Sequence, residues 1–311
     1  PTDAVPGSVY DANISMPVTN KVETEGQSIT MTLDLSDHWT VKSVTARREG
    51  KTDTNIDFDS TSFPTLDIPA FYEDEQTSQE LQFLYTGERL KVASGLYYYS
   101  GEACGAFGTV LVQGLGVTTE NGGCVETDSV AAYAQGSYQY TDKLSFTLGG
   151  RYTEDDKDAE VYRFVYLGYK LPREDGTPIA VQSDFEGSES FSHFSPRVGF
   201  EYQSNDNFMW YGSYTDGFKS GGFDVRANAA PNELDGVYPA IEGTWEFEEE
   251  KVKNYEIGGK FVLADGAAEL NVAAFRSEFK DMQTSQFDGS LSFNVTNAGQ
   301  AVVQGLEVDG R

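Results

Sequence analysis

Apolar and polar residues alternate with a period of two along much of this chain, the repeat of strands whose two faces meet different surroundings. In Ser28-Ile29-Thr30-Met31-Thr32-Leu33-Asp34-Leu35 every odd position is apolar and every even one polar. The same beat runs through Leu81, Phe83 and Tyr85, through Val130, Ala132, Ala134, Gly136, Tyr138 and Tyr140, and through Leu144, Phe146, Leu148, Gly150 and Tyr152. It returns in Val198, Phe200 and Tyr202 and in Tyr255, Ile257, Gly259, Phe261 and Leu263. Five pairs of such segments are joined by tight polar turns: Ser36-Asp37-His38, Thr86-Gly87-Glu88-Arg89, Thr141-Asp142-Lys143, Ser204-Asn205-Asp206-Asn207 and Ala264-Asp265-Gly266-Ala267. Their Gly, Asn, Asp and Ser residues are those that turn geometry favours. Between one pair and the next lie long acidic stretches, around residues 50–75, 101–127, 155–190 and 222–247, expected to be irregular loops.

Short and long connections that alternate are the mark of a transmembrane β-barrel, with short periplasmic turns and long extracellular loops. A soluble sandwich turns every ~8–12 residues and rarely carries loops of roughly 20–30 residues at every second connection. Aromatic residues gather near the strand ends (Trp39, Tyr85, Tyr138, Tyr140, Tyr152, Tyr202, Phe208, Trp210), as in the girdles of such barrels. The expected fold is all-β, an antiparallel up-and-down meander of about eleven strands. Ile29, Met31, Leu33, Leu35, Phe146 and Leu148 should point away from the lumen.

Composition narrows the choice. With 50 acidic against 22 basic residues the 311-residue chain carries a net charge of −28, which nucleic-acid phosphates would repel. Aromatic residues make up 13% of it, too many for a disordered acidic chain. No run of 18 or more apolar residues is present, which excludes a transmembrane helix. Barrel strands need only about 9–11 residues of alternating character, so the membrane stays open. Pro1-Thr2-Asp3-Ala4 lacks the basic and apolar regions of a signal peptide, and the chain is expected to be the interior of a longer protein.

A resemblance becomes specific in the second half. Ser195-Pro196-Arg197-Val198-Gly199-Phe200 precedes a short turn and then Tyr211-Gly212-Ser213-Tyr214-Thr215-Asp216-Gly217-Phe218-Lys219-Ser220-Gly221-Gly222-Phe223. Next come Phe247-Glu248-Glu249-Glu250-Lys251-Val252-Lys253-Asn254-Tyr255-Glu256-Ile257-Gly258, Leu270-Asn271-Val272-Ala273-Ala274-Phe275 and Asn297-Ala298-Gly299-Gln300-Ala301-Val302-Val303-Gln304-Gly305-Leu306-Glu307. In this order and spacing they resemble the siderophore-receptor branch of the TonB-dependent receptors. Ser78-Gln79-Glu80-Leu81-Gln82 and Ala93-Ser94-Gly95-Leu96-Tyr97-Tyr98-Tyr99 are similar to earlier strands of that barrel. The resemblance implies an outer-membrane transporter of a Gram-negative bacterium, with a barrel of about 22 strands closed by a plug. TonB, energised by the inner-membrane proton gradient, would pull on that plug. Residues 1–311 would then be about half of the barrel domain, with the plug and the remaining strands absent.

Catalysis has little to stand on. The two histidines, His38 and His193, lie 155 residues apart, and no Ser-His-Asp order, Cys-His cluster or HExxH motif is present. His38 reads as a solvated turn residue. Lys219-Ser220-Gly221-Gly222 departs from the phosphate-loop spacing and reads as a strand entering an extracellular loop. Asp53, Asp57, Asp59, Glu73, Asp74 and Glu75 offer carboxylates to Ca²⁺, but no segment has the spacing of a dedicated calcium loop. The simpler reading is solvated loop charge that meets divalent ions at the lipopolysaccharide surface. No resident metal or cofactor is expected.

Substrate contacts should come from lumen-facing residues near the extracellular strand ends. Tyr97, Tyr99 and Arg151 qualify by parity and height; Lys219 and Arg226 lie near the same level, with facing that the pattern leaves open. Arg and Tyr suit an anionic, aromatic-rich ferric siderophore. Carbohydrate or vitamin uptake on the same scaffold, a passive porin and a secreted β-rich binding protein are the alternatives. Cys104 and Cys124, the only cysteines, both fall in one Gly-rich loop and are expected to form a disulfide.

Overall fold

The computed structural model describes residues 8, 13–225, 246–287 and 293–311. Eleven strands form one antiparallel sheet in sequence order: β1 (Asn20–Asp34), β2 (Trp39–Asp57), β3 (Asp67–Thr86), β4 (Leu90–Leu111), β5 (Val117–Gln139), β6 (Leu144–Leu167), β7 (Ala180–Asn205), β8 (Phe208–Lys219), β11 (Glu250–Leu263), β12 (Ala268–Phe287) and β13 (Phe293–Gly310). Two short strands, β9 (Gly222–Phe223) and β10 (Glu246–Phe247), pair with each other, and a four-residue helical turn joins β4 to β5. The sheet is open: among the described residues β1 and β13 each have one neighbour.

All five tight turns stand where the sequence puts them. Ala264, Asp265 and Gly266 turn with positive φ (51°, 54° and 91°), a conformation in which glycine has no side chain to clash. Three of the four long connections, in contrast, are much shorter than expected, while most of the fourth (226–245) lies outside the described residues. Residues 50–75 reduce to a break at 58–66, residues 101–127 to 112–116, and residues 155–190 to 168–179. The rest of each stretch continues the ladder, so β4 to β7 run for 22–26 residues. That is about twice the 9–11 residues needed to cross a bilayer. Roughly half of each of these strands is therefore more than a bilayer crossing needs. There charged and polar residues stand on both faces, so the period-two contrast in sequence fades although backbone pairing does not.

Cross-strand register builds two faces. Partners that sit opposite one another point the same way, and one such row runs Leu33, Val41, Phe83, Ser94, Ala134, Gly150 across β1 to β6. Neighbouring rows on this face carry Ile29, Met31, Leu96, Val130, Phe146, Leu148, Val198, Ile257, Leu306 and Val308, with Leu148 69% and Leu306 76% exposed. A face so apolar and so uncovered, across the whole sheet, fits hydrocarbon rather than water. Aromatic residues bound it. Trp39 packs on Tyr85 at 5.0 Å and Trp210 on Phe261 at 5.2 Å at the turn end; Tyr98, Tyr152 and Phe194 stand at the other end. From Leu144 to Tyr152 the band covers nine residues of β6. That is about 27 Å along the strand, or roughly 20 Å across the bilayer at the usual tilt.

Beyond Tyr152 the same face of β6 turns acidic at once, with Glu154, Asp156, Asp158 and Glu160 in alternate positions. Asp128 and Glu126 of β5 and Glu75 and Glu73 of β3 extend this belt. At the tip of β5 and β6, Lys170 of the 168–179 connection meets Glu120 at 2.6 Å, with both side chains almost wholly buried. Tyr162 donates to the same carboxylate at 3.1 Å, and the Arg173 amide does so at 3.2 Å. The connection is thereby pinned back onto the strands.

On the opposite, polar face the sheet opens between β7 and β8. Their pairing stops at Arg197 opposite Thr215, and the next residue on β7 is Pro196, which has no amide hydrogen to give a ladder. Above that point Asp216 and Phe218 fold against His193, whose Nε2 lies 2.7 Å from the Asp216 carboxylate. Lys157 donates to the Gly221 carbonyl at 2.6 Å, and Phe223 is buried against Ala159, Val161 and Phe185. The chain leaving β8 therefore turns toward the polar face.

Candidate functional site

Tyr97, Tyr99 and Arg151 all lie on the polar face, as their parity predicts. Tyr97 and Tyr99 alternate with the apolar Leu96 and Tyr98 on β4, and Arg151 alternates with Tyr152 on β6. Three strands bring a group together here. The Arg151 guanidinium carbon lies 5.3 Å from the centre of the Tyr97 ring and 5.8 Å from that of Tyr133. Its Nε donates to Thr153 Oγ1 at 3.0 Å, and the Tyr133 hydroxyl donates to Glu80 Oε1 at 2.6 Å. Gly95, opposite Tyr133, is what lets that phenol lie along the wall: a Cβ there would stand 2.7 Å from its oxygen. Flat aromatic faces on either side hold the cation by its quadrupole attraction and leave further guanidinium N–H donors for an anion.

Sequence reasoning missed Tyr133, Glu80 and Thr153. Tyr133 was within reach, because counting equal steps outward from the Thr141–Lys143 turn puts it opposite Arg151. Lys219 stands apart at the upper end of β8, exposed, paired in register with Glu250, and bonded to neither Tyr97, Tyr99 nor Arg151. Arg226 lies outside the described residues.

Cys104 and Cys124 are joined by a disulfide. They are not in a loop, as expected, but directly opposite one another on β4 and β5, with Cα atoms 4.0 Å apart. The bridge crosses the strands within the acidic belt, where the alternation that betrays a strand is lost.

The histidines remain separate. His38 is exposed in its turn and its Nδ1 lies 2.9 Å from the Thr86 carbonyl oxygen, while His193 is held by Asp216.

Comparison with known proteins places this geometry. The crystal structure of the ferric yersiniabactin uptake receptor FyuA from Yersinia pestis superposes with a TM-score of 0.70 at 19% identity, covering 92% of this chain and 39% of that one. The siderophore receptor PiuA from Acinetobacter baumannii gives a TM-score of 0.66 at 15% identity over 94% of this chain and 44% of its own. These likenesses show a shared fold. In sequence, the pesticin receptor of Yersinia enterocolitica is 25% identical over 190 residues, 61% of this chain. The matched region is 24% of that receptor, and the chain spans less than half of the superposed structures. A family model for the β-barrel of TonB-dependent receptor-like proteins matches residues 3–311. This chain therefore belongs to the TonB-dependent receptor-like β-barrel family.

Proposed function

We propose that the chain is part of a Gram-negative outer-membrane receptor that takes up a ferric siderophore with energy supplied through TonB. The group of Tyr97, Tyr133 and Arg151 carries the reading, with Tyr99 one step above it on the same strand face. It offers a positive, planar donor set framed by aromatic rings on the polar face, the chemistry that an anionic and aromatic chelate requires. Membership of a family of transport receptors and the fold shared with siderophore receptors support it. TonB would act on a plug outside these residues, lipid would cover the apolar band, and the acidic belt would meet lipopolysaccharide through divalent ions.

The test is uptake of iron-55 loaded siderophores by a strain that lacks the protein, complemented with the full receptor. We expect uptake to depend on the receptor and to vanish equally when TonB is deleted. Uptake that survives TonB loss would indicate a passive porin, and transport of a carbohydrate or vitamin instead would replace the substrate. Arg151→Ala should then remove one charge-assisted bond, worth about 1.5–3 kcal/mol, and weaken siderophore binding roughly 10- to 150-fold. Unchanged affinity in purified receptor would remove Arg151 from the binding site.

A further inference from the structure

Three carboxylates converge where β2 hands over to β3. Asp57 ends β2, Asp67 begins β3, and the two are directly opposite in the ladder; Asp59 reaches back from the loop between them. One oxygen from each lies within 4.8 Å of the others. Like charges opposite one another on a sheet repel, and among the described residues no Lys, Arg or His forms an ion pair with any of the three.

What neutral partners there are leave the site incomplete. Asp57 accepts the amides of Ser15 at 2.8 Å and Ser60 at 2.7 Å, and Asp59 accepts those of Thr61 at 2.9 Å and Leu66 at 2.6 Å. Asp67 is completely buried, at 0% exposure; its Oδ1 accepts the Ser15 hydroxyl at 2.6 Å, while its Oδ2 has no hydrogen-bond partner. A carboxylate oxygen left dry and unpaired carries a large desolvation cost.

We propose that Asp57, Asp59 and Asp67 bind one hard divalent cation of the calcium class. Oxygens that share a Ca²⁺ at about 2.4 Å can stand no more than about 4.8 Å apart, and one oxygen from each of the three falls inside that limit. The buried Oδ2 of Asp67 supplies a ligand with no competing donor, and Ser15 Oγ, 3.5 Å from Asp57 Oδ2, adds a neutral oxygen. All-oxygen, carboxylate-rich donors select Ca²⁺ or Mg²⁺ over softer metals. Because Ser15 belongs to the segment before β1, the cation would tie that segment to the extracellular end of the β2–β3 hairpin. The site stands on the opposite side of the hairpin end from the turns and makes no use of the Arg151 group, so it holds or fails independently of the transported substrate.

The experiment uses the full receptor in detergent micelles, stripped with EDTA and dialysed. Isothermal titration with CaCl₂ should show one saturable site in the range of about 0.1–1 mM, where extracellular modules bind. Terbium luminescence excited at the tyrosine band should rise on binding, because the Tyr169 phenol lies within electrostatic reach of Asp67, and should fall when Ca²⁺ competes. Asp67→Asn should weaken this site at least tenfold, while Glu154→Gln with Asp156→Asn in the acidic belt should leave it unchanged. If Asp67→Asn fails to reach the heat-modifiable folded form, Asp59→Asn, on the loop, is the replacement. Binding of equal strength in wild type and both Asp variants would overturn the proposal, as would loss of the site in the belt variant alone.

Discussion

A residue in this sheet is defined first by the face it occupies and by its height. Leu148 and Thr147 are neighbours at one depth, yet Leu148 is 69% exposed on the apolar face and Thr147 exchanges a hydroxyl bond of 2.8 Å with Ser137 on the polar one. Leu148→Arg should therefore cost about 2–4 kcal/mol, the expense of a cation near the bilayer midplane. Thr147→Arg should cost less than about 1 kcal/mol, since it gives up one hydroxyl bond and gains Glu201 as a diagonal neighbour. Urea unfolding of the receptor in liposomes distinguishes the two, and equal costs would mean that the apolar face does not meet lipid. The same dependence on face explains why Tyr97, Tyr99 and Arg151 were legible from parity, whereas Glu80, an acid among many, was not. Its role appears only when register brings the Tyr133 hydroxyl to it.

At the scale of an element, the parts of the long strands beyond the apolar band have no broad apolar face to pack, and covalent and ionic braces cross them instead. The disulfide is one brace, set across β4 and β5 between facing residues, and the Lys170–Glu120 pair at the tip is another. The cysteines enclose a hairpin end of about 20 residues, for which the chain-entropy model gives roughly 3 kcal/mol. Cys104→Ser combined with Cys124→Ser should lower the protection of β4 and β5 amides above Tyr98 by about that amount in native-state hydrogen exchange. Amides below Tyr98 should keep theirs. Alkylation of the denatured protein should label neither cysteine before reduction and both after it; labelling without reductant would show that the bridge does not form.

For the whole molecule the open edges are decisive. β1 and β13, 15 and 18 residues long, each present a row of backbone groups with no partner among the described residues. In hydrocarbon each unsatisfied group costs several kcal/mol, so an eleven-stranded open sheet with one lipid-ready face is not a stable membrane protein by itself. The 311-residue chain expressed alone should fail to refold into lipid vesicles. Co-refolding with the polypeptide that completes the barrel should restore heat-modifiable mobility, and efficient insertion of the isolated chain would contradict this account.

The sequence by itself determined the strand meander, the five tight turns, the apolar band and the partnership of the two cysteines. Each rests on local chemistry: a two-residue period wherever lipid and lumen differ, turn residues where the chain reverses, and a single possible thiol pair. Only the tertiary structure decided how far the strands continue, because above Tyr152 charged and polar residues occupy both faces of β6 and the ladder leaves no regular apolar period. It also decided the Arg151 group and the convergence of Asp57, Asp59 and Asp67, for which backbone pairing must bring distant residues opposite one another. A period reports the difference between two environments; it cannot report the hydrogen bonds that hold a strand where that difference has vanished.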